Sequence, residues 1–125
     1  TLSQADNLIV SCTYNTETID LIDRDFFDLL PAEKAFNIIN IARGPIVNAQ
    51  DFCNKASSNS KLRYFLDVGD SYSREDQKCL EAFQQNSPQI LCTPHIAGQS
   101  ASAIYKADMI GLAVLLDLLN GQDNS

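Results

Sequence analysis

Ile90-Leu91-Cys92-Thr93-Pro94-His95-Ile96-Ala97-Gly98 is an apolar run that stops at a proline and carries the only histidine of the chain. Ile90–Cys92 reads as a buried strand, and His95 sits just past its C-terminal end. In open parallel α/β sheets, ligands bind in the crevice outside the carboxyl ends of the strands. The unperturbed imidazole titrates near neutrality, so it can give and take protons there. A lone histidine is also a common structural residue, and what lies beside it decides between the two.

Three further strands are expected upstream. Asn7–Cys12 is nearly continuous in apolar character, which suits a strand covered on both faces of a parallel sheet. Phe36–Ala42 is the second, broken by Arg43-Gly44-Pro45, and Leu62–Leu66 is the third, ended by Asp67. Helical patterns alternate with them. Asn15-Thr16-Glu17-Thr18 can start a helix. Leu21, Ile22, Phe26, Phe27, Leu29 and Leu30 follow at helical spacing until Pro31. A helix over 49–57 turns Phe52 and Cys53 inward, with Asn48 as N-cap. Another over 75–85 carries Leu80 and Phe83, after a loop over 69–74. The longest pattern, 100–120, is apolar almost all round from Ile110 to Leu119, as a covered helix would be. Gly121 suits the C′ position, and 122–125 should fray.

Strand–helix alternation predicts a parallel sheet of about four strands in a partial, three-layer Rossmann-like α/β domain, with a long C-terminal helix. Arg43, Asp67 and His95 each follow the C-terminal end of an apolar strand, so such a sheet brings all three to one edge.

The 125 residues carry a formal charge of −7, which repels a phosphate backbone and argues against a nucleic-acid partner. No apolar run is long enough for a membrane span. Cys12, Cys53, Cys79 and Cys92 form no C-x-x-C pair, and one histidine cannot complete a zinc site, so no metal is expected. Cys12 and Cys92, inside apolar runs, read as small buried hydrophobes. Unpaired thiols without a secretory signal point to a cytoplasmic location. The first residue is threonine, which fits a fragment or a processed product.

At Asn40-Ile41-Ala42-Arg43-Gly44, Leu66-Asp67-Val68 and Thr93-Pro94-His95-Ile96-Ala97-Gly98, the chain resembles the D-isomer-specific 2-hydroxyacid dehydrogenases, which include phosphoglycerate dehydrogenases and hydroxypyruvate reductases. Ala5-Asp6 and Glu17-Thr18-Ile19-Asp20-Leu21-Ile22 match at similar spacing. None of the glycines forms a G-x-G-x-x-G turn. The resemblance therefore implies the second half of a nucleotide-binding domain over 1–98, with 99–125 as its long helix and tail.

The resemblance also implies roles. Arg43 would grip the carboxylate and carbonyl of a small 2-oxo acid, and His95 would donate a proton to the carbonyl oxygen as hydride arrives. Ser11, Thr13, Ile41, Ala42, Asp67, Ala97 and Gly98 would face the cofactor, with Asp67 near the nicotinamide carboxamide. That cofactor is NAD or NADP, and the residue that reads its ribose belongs to the missing part. A homodimer is implied for the intact enzyme. The family's glutamate, five residues after the aspartate and paired with the histidine, is here Tyr72. A phenol brings no charge at pH 7. Asp70, Glu75 and Asp76 lie close enough in sequence to substitute. Other departures are Thr13 for a proline, Glu33-Lys34-Ala35 for K-P-G, and Arg63 for a glycine. The alternative to a dehydrogenase fragment is a non-catalytic nucleotide-sensing or partner-binding relative. An unrelated α/β domain with a structural histidine would leave the three ordered motifs unexplained.

Overall fold

The computed structural model describes residues 2 and 4–122, with side chains described as far as 114. Two compact units are present, Thr1–His95 and Ile96–Ser125.

The first unit is built on a four-stranded parallel sheet in sequential order: β1 (Asn7–Val10), β2 (Phe36–Asn40), β3 (Leu62–Leu66) and β4 (Ile90–Cys92). Helices α1 (Arg24–Asp28), α2 (Ala49–Ser58) and α3 (Arg74–Asn86) lie between the strands in sequence. Asp23, Asn48 and Ser73 cap them through side-chain oxygens that accept backbone N–H bonds. This is the expected α/β architecture.

Phe52 of α2 sits at the centre of the core. Its ring lies 6.2 Å from Phe27, 5.0 Å from Tyr64 and 6.2 Å from Phe83, which ties α1, β3 and α3 together. On this face Phe36, Ile38, Leu62 and Tyr64 are fully buried. The opposite face is different. Ile9, Ile39, Phe65 and Leu91 stand side by side in register, and parallel pairing points them the same way. Ile9 is 61% exposed and Leu91 56%. The expectation that β1 is covered on both faces therefore fails among the described residues. A parallel sheet normally has layers on both sides.

The first helix is shorter than its apolar spacing predicts. Asp20 takes a left-handed φ of 52°, and Ile22 forms a parallel bridge to Val47. Ile22 donates to the Ile46 carbonyl at 3.0 Å and accepts from the Asn48 N–H at 2.9 Å. Residues 20–22 are thus spent on pairing with the chain after β2, and helix begins only at Arg24. Cys12 and Cys92 are exposed rather than buried, because each lies at or beyond its strand's end.

The second unit is α4 (Ala101–Gln122), with the Ser100 hydroxyl accepting from the Ala103 N–H at 3.2 Å. It runs on through Gly121, so that glycine does not terminate it. Ile104, Tyr105, Met109, Ile110, Leu112 and Val114 are exposed. The rest of the apolar stretch to Leu119, as side chains, and the tail from 123 lie outside the described residues. Among the described residues, no helix is long and apolar enough to cross a membrane.

Uncovered apolar surface on the sheet should make the isolated chain self-associate. Analytical ultracentrifugation should show sedimentation that rises with concentration, and the double substitution Ile9→Lys, Leu91→Lys should reduce it. A monodisperse monomer at high concentration would contradict this.

Candidate active site at the strand ends

Parallel pairing puts the residues after all four strands on one edge. Ser11 and Thr13 follow β1; Ile41, Ala42 and Arg43 follow β2; Asp67 follows β3; Thr93 to His95 follow β4. The Ile41 N–H donates to the Val10 carbonyl at 3.2 Å, the Asp67 N–H to Asn40 at 3.2 Å, and the Thr93 N–H to Leu66 at 2.9 Å. These bonds extend the sheet just past its strands. Asp67 is buried, and its Oδ1 accepts from the Thr93 hydroxyl.

His95 is positioned by its backbone as well as its ring. Pro94 bridges to Val68, the His95 N–H donates to the Thr93 carbonyl at 2.9 Å, and His95 adopts a φ of 56°. That left-handed turn is uncommon for a residue with a Cβ. It aims the imidazole at the loop after β3, where Nδ1 lies 3.0 Å from both carboxylate oxygens of Asp70. The hydrogen bond with His95 holds the Asp70 carboxyl below its ordinary range, and the Arg43 charge pulls the same way. Both partners are substantially exposed, so the pair adds little to stability. Arg43 is exposed, with Nη1 donating to the Ala42 carbonyl at 2.7 Å. A cleft of about 350 Å³ adjoins His95 and Asp70, floored by Leu66, Leu80 and Ile90.

The Tyr72 hydroxyl is engaged in the core. It donates to the Val47 carbonyl at 2.6 Å and meets the Tyr64 hydroxyl at 3.0 Å. The Asn40 amide donates to Tyr64 at 3.0 Å and to the Arg43 carbonyl at 2.9 Å, and its oxygen accepts from the Ala42 N–H. The only proton order that satisfies this chain runs from Asn40 through Tyr64 and Tyr72 to Val47. The phenol has no second proton for an imidazole. Burial pushes the Tyr64 hydroxyl up to about 12, and burial together with Tyr64 raises Tyr72 further. Both therefore stay neutral across the working pH range. The Tyr72 ring also covers Gly44, where a Cβ would lie 2.5 Å from it.

Sequence reasoning missed Asn40 and Tyr64. The available signal was an asparagine inside an apolar strand, since a buried amide needs partners. Ala97 and Gly98 fall in the second unit. Among the described residues, no group of three His, Cys, Asp or Glu side chains could hold a metal.

Comparison with known proteins places this edge in a family. Residues 1–97 match the family model described as the D-isomer specific 2-hydroxyacid dehydrogenase, NAD binding domain. The chain belongs to this family. It is 26% identical to a D-lactate dehydrogenase of Staphylococcus aureus, over 95% of the chain and 38% of that protein. It is 34% identical to an erythronate-4-phosphate dehydrogenase of Legionella pneumophila, over 72% of the chain and 23% of that protein. The NAD-complexed D-isomer specific 2-hydroxyacid dehydrogenase of Lactobacillus delbrueckii superposes with a TM-score of 0.76 at 19% identity, over 96% of the chain and 38% of that structure. The chain thus spans well under half the length of these relatives.

Tyr72→Phe keeps the ring over Gly44 but strands the Val47 carbonyl, which should cost about 1–3 kcal/mol. Tyr72→Glu would bury a carboxylate without a cation and should cost more. Urea denaturation checks both; a stable Tyr72→Glu protein would show that the phenol relay is dispensable.

Proposed function

We propose that this chain forms the substrate-facing part of an NAD(P)-dependent D-2-hydroxyacid dehydrogenase, which moves hydride between the nicotinamide and a small 2-hydroxy or 2-oxo acid. The observation that carries the reading is the His95–Asp70 pair, 3.0 Å apart, at the strand-end edge that also carries Arg43.

Each residue type suits its part. The planar fork of Arg43 matches a carboxylate and an adjacent carbonyl oxygen. His95 holds the proton that the carbonyl oxygen needs when reduced and takes it back in the oxidising direction. Asp70 fixes the ring through Nδ1, 3.0 Å from its carboxylate. The Asp67 carboxylate is acceptor-only, which is the chemistry a carboxamide NH2 requires. Ser11, Thr13, Ile41 and Ala42 lie on the same edge, where a nucleotide would run across the strand ends. When bound, the nicotinamide supplies or takes the hydride. The exposed apolar residues of α4 support assembly of the intact enzyme as a homodimer.

Reduction of 2-oxo acids, measured on the protein that carries this chain, tests the assignment. His95→Ala should lower kcat/KM by about 10²–10⁴-fold. Asp70→Asn removes the carboxylate that orients the ring and should lower kcat/KM by a smaller factor, while Tyr72→Phe should leave it nearly unchanged. An unchanged kcat/KM in Asp70→Asn would remove Asp70 from the mechanism. A wild type inactive on pyruvate, glyoxylate and hydroxypyruvate would favour the non-catalytic alternative.

The chain by itself should bind NADH weakly, because it has no G-x-G-x-x-G turn opening a helix to receive the pyrophosphate. Fluorescence titration should not saturate at micromolar NADH. Tight, saturable binding would overturn the partial-domain reading.

A further inference from the structure

Cys53 of α2 and Cys79 of α3 lie with their sulfurs 3.7 Å apart, the Cys79 thiol donating towards Cys53. The Gln50 side-chain oxygen also lies 3.5 Å from the Cys79 sulfur. The two thiols are unlike in setting. Cys53 is buried, and Cys79 is half-buried. Both line one open groove between α2 and α3, which gives a small oxidant a route to them. Neither has a part in the site at the strand ends.

We propose that Cys53 and Cys79 are an oxidisable dithiol that closes into an α2–α3 disulfide when a peroxide reaches the groove. Cys79 is the entry point, because it is the more accessible sulfur. Burial, with Cys79 adding in the same direction, pushes the Cys53 thiol up to about 12 and keeps it protonated until its partner is activated. The Cys79 thiolate attacks a peroxide oxygen, the O–O bond breaks, and the departing hydroxide takes a proton to leave as water. Cys79 is then a sulfenic acid. The Cys53 sulfur attacks the Cys79 sulfur, the S–O bond breaks, and hydroxide leaves with the Cys53 proton as a second water. Two thiols lose two electrons and one peroxide gains them. The sulfurs need only close from contact at 3.7 Å to a bond of about 2.0 Å.

The position gives the bond a consequence. The segment it would enclose, 54–78, contains β3, Asp67, Asp70 and Tyr72. Two residues before Cys79, the Gln77 amide donates to the Tyr72 carbonyl at 3.0 Å and reaches the Asp70 carbonyl at 3.5 Å. A staple at Cys79 therefore restrains the helix that holds this loop from behind.

The test is peroxide treatment of the intact chain, alkylation of remaining thiols, and non-reducing peptide mapping. The expected product is one linked pair of peptides carrying Cys53 and Cys79, lighter by two hydrogens and separated again by dithiothreitol. Its thermal midpoint should rise by several degrees over the reduced chain. Cys79→Ser should abolish the link, and Cys12→Ser, Cys92→Ser should preserve it. Recovery of Cys53 as an alkylated thiol beside Cys79 as sulfinic acid would overturn the proposal. So would Cys79 linked equally to Cys12 or Cys92. The wild-type map decides the matter even if Cys79→Ser does not fold.

Discussion

The strand-end edge depends on one buried polar chain, from the Asn40 amide through the hydroxyls of Tyr64 and Tyr72 to the Val47 carbonyl. It joins the end of β2 to β3, to the loop after β3, and back to the segment after Arg43. Each link contributes only about 0.5–1.5 kcal/mol net, but leaving any buried group unpaired costs more than the link is worth. The chain is therefore made as a whole or lost as a whole. With both phenols held neutral by burial, it is a fixed brace and not a titrating switch.

That brace gives Tyr72 a structural task of its own. Tyr72 roots the end of the loop in the core and packs over Gly44, while the Ser71 hydroxyl accepts from the Gly44 N–H and donates to the Val68 carbonyl, both at 2.6 Å. Rooted at 71 and 72, the loop presents Asp70 at its exposed tip. There its carboxylate meets His95 Nδ1 at 3.0 Å. Charge complementarity at His95 and anchoring of the Arg43 turn are thus divided between two side chains.

How much of this was legible in the sequence follows from the range of the forces involved. The four strands and their order were readable, because continuous apolar runs ended by Arg43, Asp67 and the Pro94-His95 pair leave few other folds. The meeting of Arg43, Asp67 and His95 at one edge followed from parallel topology alone. Residues 20–22 were misread, because a non-local bridge from Ile22 to Val47 overrode a good local helical pattern. The histidine's partner was narrowed to a few neighbouring acids but not chosen. The choice depends on a left-handed turn at His95 and on the anchoring of Tyr72, and spacing encodes neither.

The sheet is apolar on a face that is exposed among the described residues. Ile9, Ile39, Phe65 and Leu91 form a row as hydrophobic as many interiors, and in a parallel sheet such a row normally lies under a layer of helices. The relatives are more than twice as long as this chain. The brace, the caps and the Phe52 cluster are complete within residues 1–95 and need nothing further. The strand-end edge is therefore internally ordered, while Ile9 and Leu91 of the sheet face stay exposed among the described residues.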